Sequence, residues 1–454
     1  MHGSSSSMDK PIICYQRRSK CIIRDDSEGD KQLQQIVSPC IGRKRTRMGE
    51  IKNVTLPEDI LYNEIVSRLP LKFILRCRRV CKSWNSRFST SDFVNSHLTH
   101  QLQDKQEDDD DLIITKCFAV DEGISILSHT NEFPVRSVPC VCDTILGSIN
   151  GLILMCSTRG RRFCLWNPAV GQVKFFCMPP PRYHPTKDEC EHFVGGFCWD
   201  RVQNDYKVLM FCYESTRTPP SQLCIYSFNS ATWTRLCIPQ HPKLRGPIAN
   251  PNLMVHPSTI VKGTPYWSYS ENRTYPGKRH ERKFFCTFKF VPEIKEFRFL
   301  PDFHTRSSDE SNFVVNADDR VVRMSYEKIR GEETLVKIYS LDNDDSGTWS
   351  KMYTIGPMSL ALGCWPSHCY KNGGEILIYK HRGPFSLYDP KTKETKEFDG
   401  SISTVNANRI RMYYSYTPSL ICVRGMESMQ NLSIKNGSET YSFVKSISPR
   451  FTRD

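Results

Sequence analysis

Three groups of cysteine and histidine in this 454-residue chain have the residue types of a zinc site: Cys140 with Cys142, Cys190 with His192, and Cys364 with His368 and Cys369. Structural zinc takes four such ligands, usually in close Cys-x2-Cys or His-x3-His pairs. None of the three groups is paired that way, so no metal is expected. The chain has 20 cysteines, scattered without a framework spacing. Met1–Lys20 lacks an apolar core of signal-peptide length, and no apolar run is long enough to span a bilayer. Reduced thiols that pack as small hydrophobes are therefore expected, with no membrane contact.

Other chemistry is missing by the same test of spacing. There is no Gly-x-Ser-x-Gly elbow, phosphate loop or dinucleotide fingerprint. The pairs Tyr206-Lys207 and Tyr379-Lys380 stand alone. No catalytic residue and no cofactor is expected, and function must be read as binding. The formal net charge of +13 favours acidic partners. Its residues are dispersed and accompany no nucleic-acid motif, so nucleic acid is not expected as a partner. Two local clusters are sharper. Arg43-Lys44-Arg45-Thr46-Arg47 has the composition of a nuclear import signal. Arg273, Tyr275, Lys278 and Arg279, with Tyr269 and His280 beside them, form a basic and aromatic mixture suited to an acidic protein surface. They fall in Ser270–Arg282, one of four long irregular connections with Pro179–Glu191, Ser215–Gln222 and Pro239–Asn252. Recognition by such loops is expected.

The elements that hold these residues change character along the chain. Residues 1–50 are aperiodic and mixed in charge, which predicts disorder, and with Met48 just before the next segment the first 47 residues are expected to be an optional extension. Residues 51–98 read as three short helices. Thr55 and Glu58 have the spacing of a capping box, and Pro57 suits a first helical turn. Ile60, Leu61, Ile65, Val66 and Leu69 then make an apolar stripe that Pro70 ends. Leu71, Ile74, Leu75 and Cys77 give a second stripe, and Val80, Cys81, Trp84 and Phe88 a third. So small a unit cannot bury every apolar residue internally, and a helix-in-groove partner is the expected solution. A self-contained helical subdomain is the alternative on periodicity alone.

The order Leu56-Pro57, Arg68-Leu69-Pro70, Val80-Cys81-Lys82-Ser83-Trp84 and Asp92-Phe93 resembles an F-box. That family docks a Skp-type adaptor of cullin–RING ubiquitin ligases. The resemblance implies an adaptor face made by Leu56, Pro57, Ile60, Leu61, Ile65, Leu69, Pro70, Leu75, Val80 and Trp84. Cys77 stands where the plant form often has Phe, and Arg79 where it often has Cys.

Residues 99–111 include the acidic run Gln101–Asp111, expected to be an extended linker. From 112 to 454 the texture is short β runs and turns. Five aromatic-rich hairpins start at Phe163, Leu223, Phe285, Val336 and Phe385, separated by 60, 62, 51 and 49 residues. Most follow a second hairpin-like element such as Gly147-Ser148-Ile149-Asn150-Gly151 or Lys262-Gly263-Thr264. Four strands per period near fifty residues is the signature of propeller blades, and an irregular six-bladed ring is expected. Trp166, Trp199, Trp233, Trp267 and Trp349 are expected to pack between blades rather than hold a ligand.

Gly147-Ser148-Ile149-Asn150-Gly151-Leu152, Leu165-Trp166-Asn167-Pro168, Gly196-Phe197-Cys198-Trp199-Asp200 and Asp205-Tyr206-Lys207-Val208 resemble the kelch-like F-box-associated domain of plant F-box proteins. The fold class is thus α+β multidomain: a three-helix F-box, then a large all-β domain. The resemblance implies a non-catalytic substrate receptor that binds the adaptor, through it a cullin and a RING subunit, and a target protein, in cytoplasm or nucleus. The other readings are an adaptor-bound scaffold without a degradation role, and an RNA- or sugar-binding propeller.

Overall fold

Apolar helical stripes at the start and paired aromatic strands afterwards fold as their patterns require. The computed structural model describes residues 57–103 and, between 112 and 429, the strands and the shorter turns that join them. Four helical segments come first: α1 (Ile60–Ile65, a wide π-type turn continued by a 3-10 turn over Val66–Arg68), α2 (Leu71–Cys77), α3 (Lys82–Arg87) and α4 (Ser91–Gln103). The expected three helices gain a fourth. Residues 99–103 continue α4 rather than belonging to a linker. Thr55, half of the expected capping box, lies outside the described residues, as do the basic cluster at 43–47 and the acidic run from 104.

Among the described residues the β region forms six sheets, all of antiparallel neighbours. Sheet 2 holds Thr144–Ile149, Leu152–Ser157, Arg162–Asn167 and Gln172–Cys177. Sheet 3 holds His192–Asp200, Asp205–Cys212, Gln222–Ser227 and Thr232–Cys237. Sheet 4 runs Thr259–Val261, Thr264–Thr274, Glu281–Val291 and Glu296–Phe299, with the short strand Phe303–His304 added. Sheet 5 covers Ser311–Ala317, Arg320–Lys328, Glu333–Leu341 and Trp349–Ser359, and sheet 6 covers Trp365–Cys369, Ile376–Tyr379, Ser386–Tyr388 and Thr395–Glu397. Sheet 1 joins both ends of the region: Leu112–Cys117, Ile124–Leu127 and Glu132–Val135 are completed by Ile410–Tyr416. The five expected hairpins are the third and fourth strands of sheets 2 to 6. The expectation of six blades needs correction. Four sheets have the plain four-stranded form of a blade; sheets 2 and 4 each carry a fifth strand. The period seen in sequence counts hairpins, and the added strands Glu427–Ser428 and Phe303–His304 are too short to register in it.

Tight turns set the register. Asn150-Gly151 and Lys262-Gly263 are two-residue hairpin loops with positive φ at both positions, 50° and 80° in the first, 50° and 79° in the second. That geometry matches strand twist, and glycine adopts it without steric cost. At Gly151 a second constraint applies. A Cβ there would sit 2.5 Å from Ser419 Oγ and 2.7 Å from Ser419 N.

The core lies between sheets. One cluster joins Ile153, Trp166, Phe197 and Tyr226 of sheets 2 and 3 to Tyr414 and Tyr416 of the closing strand, and Leu98 of α4 enters it. A second joins Phe211 to Trp267 and Phe288, across sheets 3 and 4. The tryptophans do pack at these seams. Trp166 and Trp267 are fully buried, Trp233 Nε1 donates to Cys177 O at 3.1 Å, and Trp349 Nε1 donates to Pro301 O at 2.9 Å. Between sheets 4 and 5 the buried Arg323 guanidinium lies 4.5 Å from the Trp349 ring and 5.0 Å from Phe303, and donates to Thr287 Oγ1 at 2.7 Å. Burial pushes its pKa down to about 9.

The Trp199-Asp200 and Asp205-Tyr206-Lys207 motif is likewise structural. Lys207 Nζ donates to Asp200 Oδ2 at 2.5 Å and to Gln203 Oε1 at 3.0 Å, with both ion-pair partners buried. Asp205 Oδ1 accepts from Asn229 N at 3.0 Å, tying the turn to the next hairpin. Burial by itself raises the Asp200 carboxyl. The hydrogen bonds from Lys207 and Gln203 and the Lys207 charge outweigh it, holding the group below the ordinary carboxylate range. A carboxyl depressed on folding adds stability that is fully present above its unfolded pKa, about 3.9, and fades as pH falls through the lower folded value.

Two outcomes are expected. Asp200→Asn leaves Lys207 buried without its counter-charge, at about 3–5 kcal/mol. Thermal unfolding at pH 7 should show the loss, and the gap from wild type should narrow as pH falls below about 4 and on through the lower folded pKa of Asp200. Gly151→Ala should displace residues 417–419, read as faster hydrogen exchange across 410–429. Exchange unchanged there would show that the turn yields without moving the C-terminal strand.

Candidate interaction surfaces

The helical unit has its own aromatic interior. Phe88 is fully buried, with Tyr62, Trp84 and Phe93 at ring-centroid distances of 5.9, 5.6 and 4.8 Å. His97 is buried behind Phe93, and burial holds its imidazole below the ordinary pKa. Neutral there, it donates from Nε2 to the Leu69 carbonyl oxygen at 3.0 Å, fixing α4 across the end of α1. Arg78 closes the other side, donating to Asn85 Oδ1 at 3.1 Å and Ser89 Oγ at 2.7 Å.

With the interior filled from within, several apolar side chains remain outside. Ile60 is 46% exposed, Ile65 37% and Val80 55%. Pro57 and Pro70 are exposed, and Leu61, Leu69 and Leu75 are half-buried. Leu56 lies outside the described residues. One expected member of the face is placed otherwise. Trp84 points inward at 5% exposure, so it supports the face from behind. The third stripe was misphased by the turn between α2 and α3. Val80 and Cys81 precede α3, where the Cys81 sulfur accepts from Trp84 N at 3.5 Å as an N-cap. Only Trp84 and Phe88 face the interior. Cys77 is buried and Arg79 exposed.

The expected target loop fares differently. Residues 270–274 and 281–282 are paired strand, extending the hairpin of sheet 4, so Ser270–Arg282 is not one irregular loop. Arg273 is committed internally. It donates to Glu271, reaches Asp302 Oδ2 at 2.7 Å and lies 4.6 Å over the Phe284 ring. Two carboxylates neutralise its charge, which removes it as a free basic contact. Tyr269 is buried. Tyr275, Lys278, Arg279 and His280 lie outside the described residues, as do most of the other three connections.

Among the described residues, no group of histidine, cysteine, aspartate or glutamate is arranged to hold a metal ion. The side chains of the three cysteine–histidine groups fall outside the described set. No helix among the described residues is long and apolar enough to cross a membrane.

Two family matches agree with this geometry: residues 55–95 match the F-box domain, and residues 114–423 match the F-box associated beta propeller domain. The chain belongs to this family of F-box proteins with an associated β-propeller. A provisionally named F-box/kelch-repeat protein of Arabidopsis thaliana is 27% identical over 301 residues, covering 62% of this chain and 72% of its own. Another F-box/kelch-repeat protein of the same plant is 24% identical over 392 residues, covering 84% and 87%. Among solved structures, a protein from Lactobacillus plantarum covers 64% of this chain and 95% of its own, at 8% identity and a TM-score of 0.28, too low to carry any argument.

The division between interior and face has a direct test. Trp84→Ala should cost about 3–5 kcal/mol and raise hydrogen exchange throughout α3 and α4. Val80→Ala should change stability by no more than about 0.5 kcal/mol. Equal effects would mean that Val80 is as much a core residue as Trp84.

Proposed function

We propose that the chain is the substrate-recognition subunit of a Skp–cullin–F-box ubiquitin ligase. The observation that carries this is the exposed apolar face of Ile60, Ile65 and Val80 on a family-matched F-box whose interior is complete without it. Such a face gains by docking in a groove, each fully buried Ile or Val being worth about 1.5–3 kcal/mol before association costs. A Skp-type adaptor binds there, and through it the cullin and RING subunits are recruited, in cytoplasm or nucleus. The β domain holds a target protein for ubiquitination and degradation. Activation and transfer of ubiquitin belong to the partners. This chain supplies proximity, which turns transfer to a target lysine into an effectively intramolecular step.

Ile60→Asp with Val80→Asp should abolish co-purification of the adaptor, and with it cullin and RING, while the unfolding midpoint stays within a few degrees of wild type. Adaptor binding at wild-type yield by the double variant would remove this face, and a wild-type chain that recruits no adaptor would remove the ligase reading.

A further inference from the structure

The geometry points to a binding site for an acidic, apolar-flanked peptide segment in a pocket between the turns of sheets 3, 4 and 5. This rests on the reading of the β domain as a target receptor and gives that receptor a place and a chemistry.

The pocket has a volume of 530 Å3, within the range of about 300–1,000 Å3 usual for ligand sites. Four cationic residues line it, Arg201, Lys262, Lys289 and Arg320, against two carboxylates, Glu293 and Asp319. Its floor is firm: Val261, Tyr266 and Val321 are buried, and Lys289 is 8% exposed with its ammonium 6.0 Å from the Tyr266 ring. Its walls are tied together. Arg201 Nη2 donates to Lys262 O at 2.6 Å, and Arg201 N donates to Glu293 Oε1 at 3.4 Å, so three turns converge. Lys262 and Arg320 are exposed, and neither side chain has an ion pair or hydrogen bond among the described residues. These two remain to meet an anion.

The rim decides what kind of anion. Val202 is 83% exposed and Ile294 46% exposed, each at a turn tip next in sequence to a lining residue. The contact of Arg201 with Glu293 brings those two turns together. Exposed apolar tips beside a cationic cavity fit a polypeptide that carries an acidic side chain next to apolar ones. A free small anion would leave the tips unused. RNA fits less well. The aromatic faces are covered, Tyr266 being buried and Trp199 lying under Arg201 at 5.6 Å, so bases find no stacking surface, and the two carboxylates repel a phosphate backbone.

The test uses the full chain, alone and with a Skp-type adaptor added, and a fluorescent peptide alternating glutamate and leucine. Parallel arms replace glutamate by phosphoserine or by glutamine, and further arms use inorganic phosphate and oligouridylate. Saturable binding of the glutamate or phosphoserine peptide is expected, falling steeply with salt. Lys262→Glu with Arg320→Glu should weaken it about tenfold or more, and Val202→Ser with Ile294→Ser several-fold, adaptor binding and melting temperature being unchanged. Equal binding of the glutamine peptide, tighter binding of phosphate or oligouridylate, or wild-type affinity in both double variants would overturn the proposal. Asp342, Asp344 and Asp345 follow Leu341 of the lining and lie outside the described residues. If they neutralise the pocket, the wild-type chain binds no acidic peptide and the proposal falls. Adaptor co-purification, scored in the same samples, reports separately on the ligase reading.

Discussion

A sheet made from both ends of the β region is the constraint on which the rest depends. Leu112–Cys117 has one neighbour in its own hairpin and the other in Ile410–Tyr416, nearly three hundred residues later. Without that late strand, the first would present an unpaired edge, with its N–H and C=O groups open to any other chain. The residues that follow fasten the join. Asn167 Nδ2 donates to Ser419 O at 3.0 Å and to Ile421 O at 2.8 Å, while its own Oδ1 accepts from Ala169 N at 3.0 Å. Lys174 Nζ donates to Arg424 O at 2.7 Å, and Glu427–Ser428 pairs with the outer strand of sheet 2. One buried asparagine thus satisfies carbonyls from a segment more than two hundred residues away. Contacts of such separation close long loops, whose entropy must be met before the contacts reward it.

The same join reaches the helical unit. Leu98 of α4 enters the core that Tyr414 and Tyr416 close, and Arg78 lies near enough to Cys422 for each to shift the other's titration. Residues from Pro57 onward consequently belong to one compact unit. The receptor role proposed above works by proximity, and contacts between the helices and the β region keep the effective concentration from being diluted as it would be by a loose linker. Residues 99–103 are helical where composition suggested an extended spacer.

Sequence legibility followed periodicity. Hairpins were readable because an aromatic strand, a turn and a second aromatic strand are local, and the Asn-Gly and Lys-Gly turns have positive φ where a glycine permits it. The apolar helical stripe was readable too, but its division between interior and face was not. Ile65 and Val66 are neighbours in one stripe, yet 37% and 3% exposed, since a π-type turn shifts the phase from that of an α-helix. Arg273 shows the limit for function. Its basic and aromatic company suggested a contact surface, while Asp302, distant in sequence, neutralises it. A charge is available to a partner only if the fold leaves it unmatched, and composition cannot report that.

Matching explains how the chain divides its work. Most of its special residues are matched internally: Asp200 by Lys207, Arg273 by Glu271 and Asp302, and Arg323 by the faces of Phe303 and Trp349. A desolvated cation over an aromatic face gains about 2 kcal/mol or more, and buried ion pairs survive only with good geometry, so these groups are committed within the fold. Among the described residues, two of the surfaces left unmatched differ in chemistry. Ile60, Ile65 and Val80 are apolar and stand on the helices. Lys262, on a turn, and Arg320, at the start of a strand, are charged and line the pocket of the β domain near Val202 and Ile294. An apolar groove and an acidic peptide are different chemistries, so neither surface competes for the other's partner. In the function proposed above, two partners are then held at once by chemically distinct surfaces.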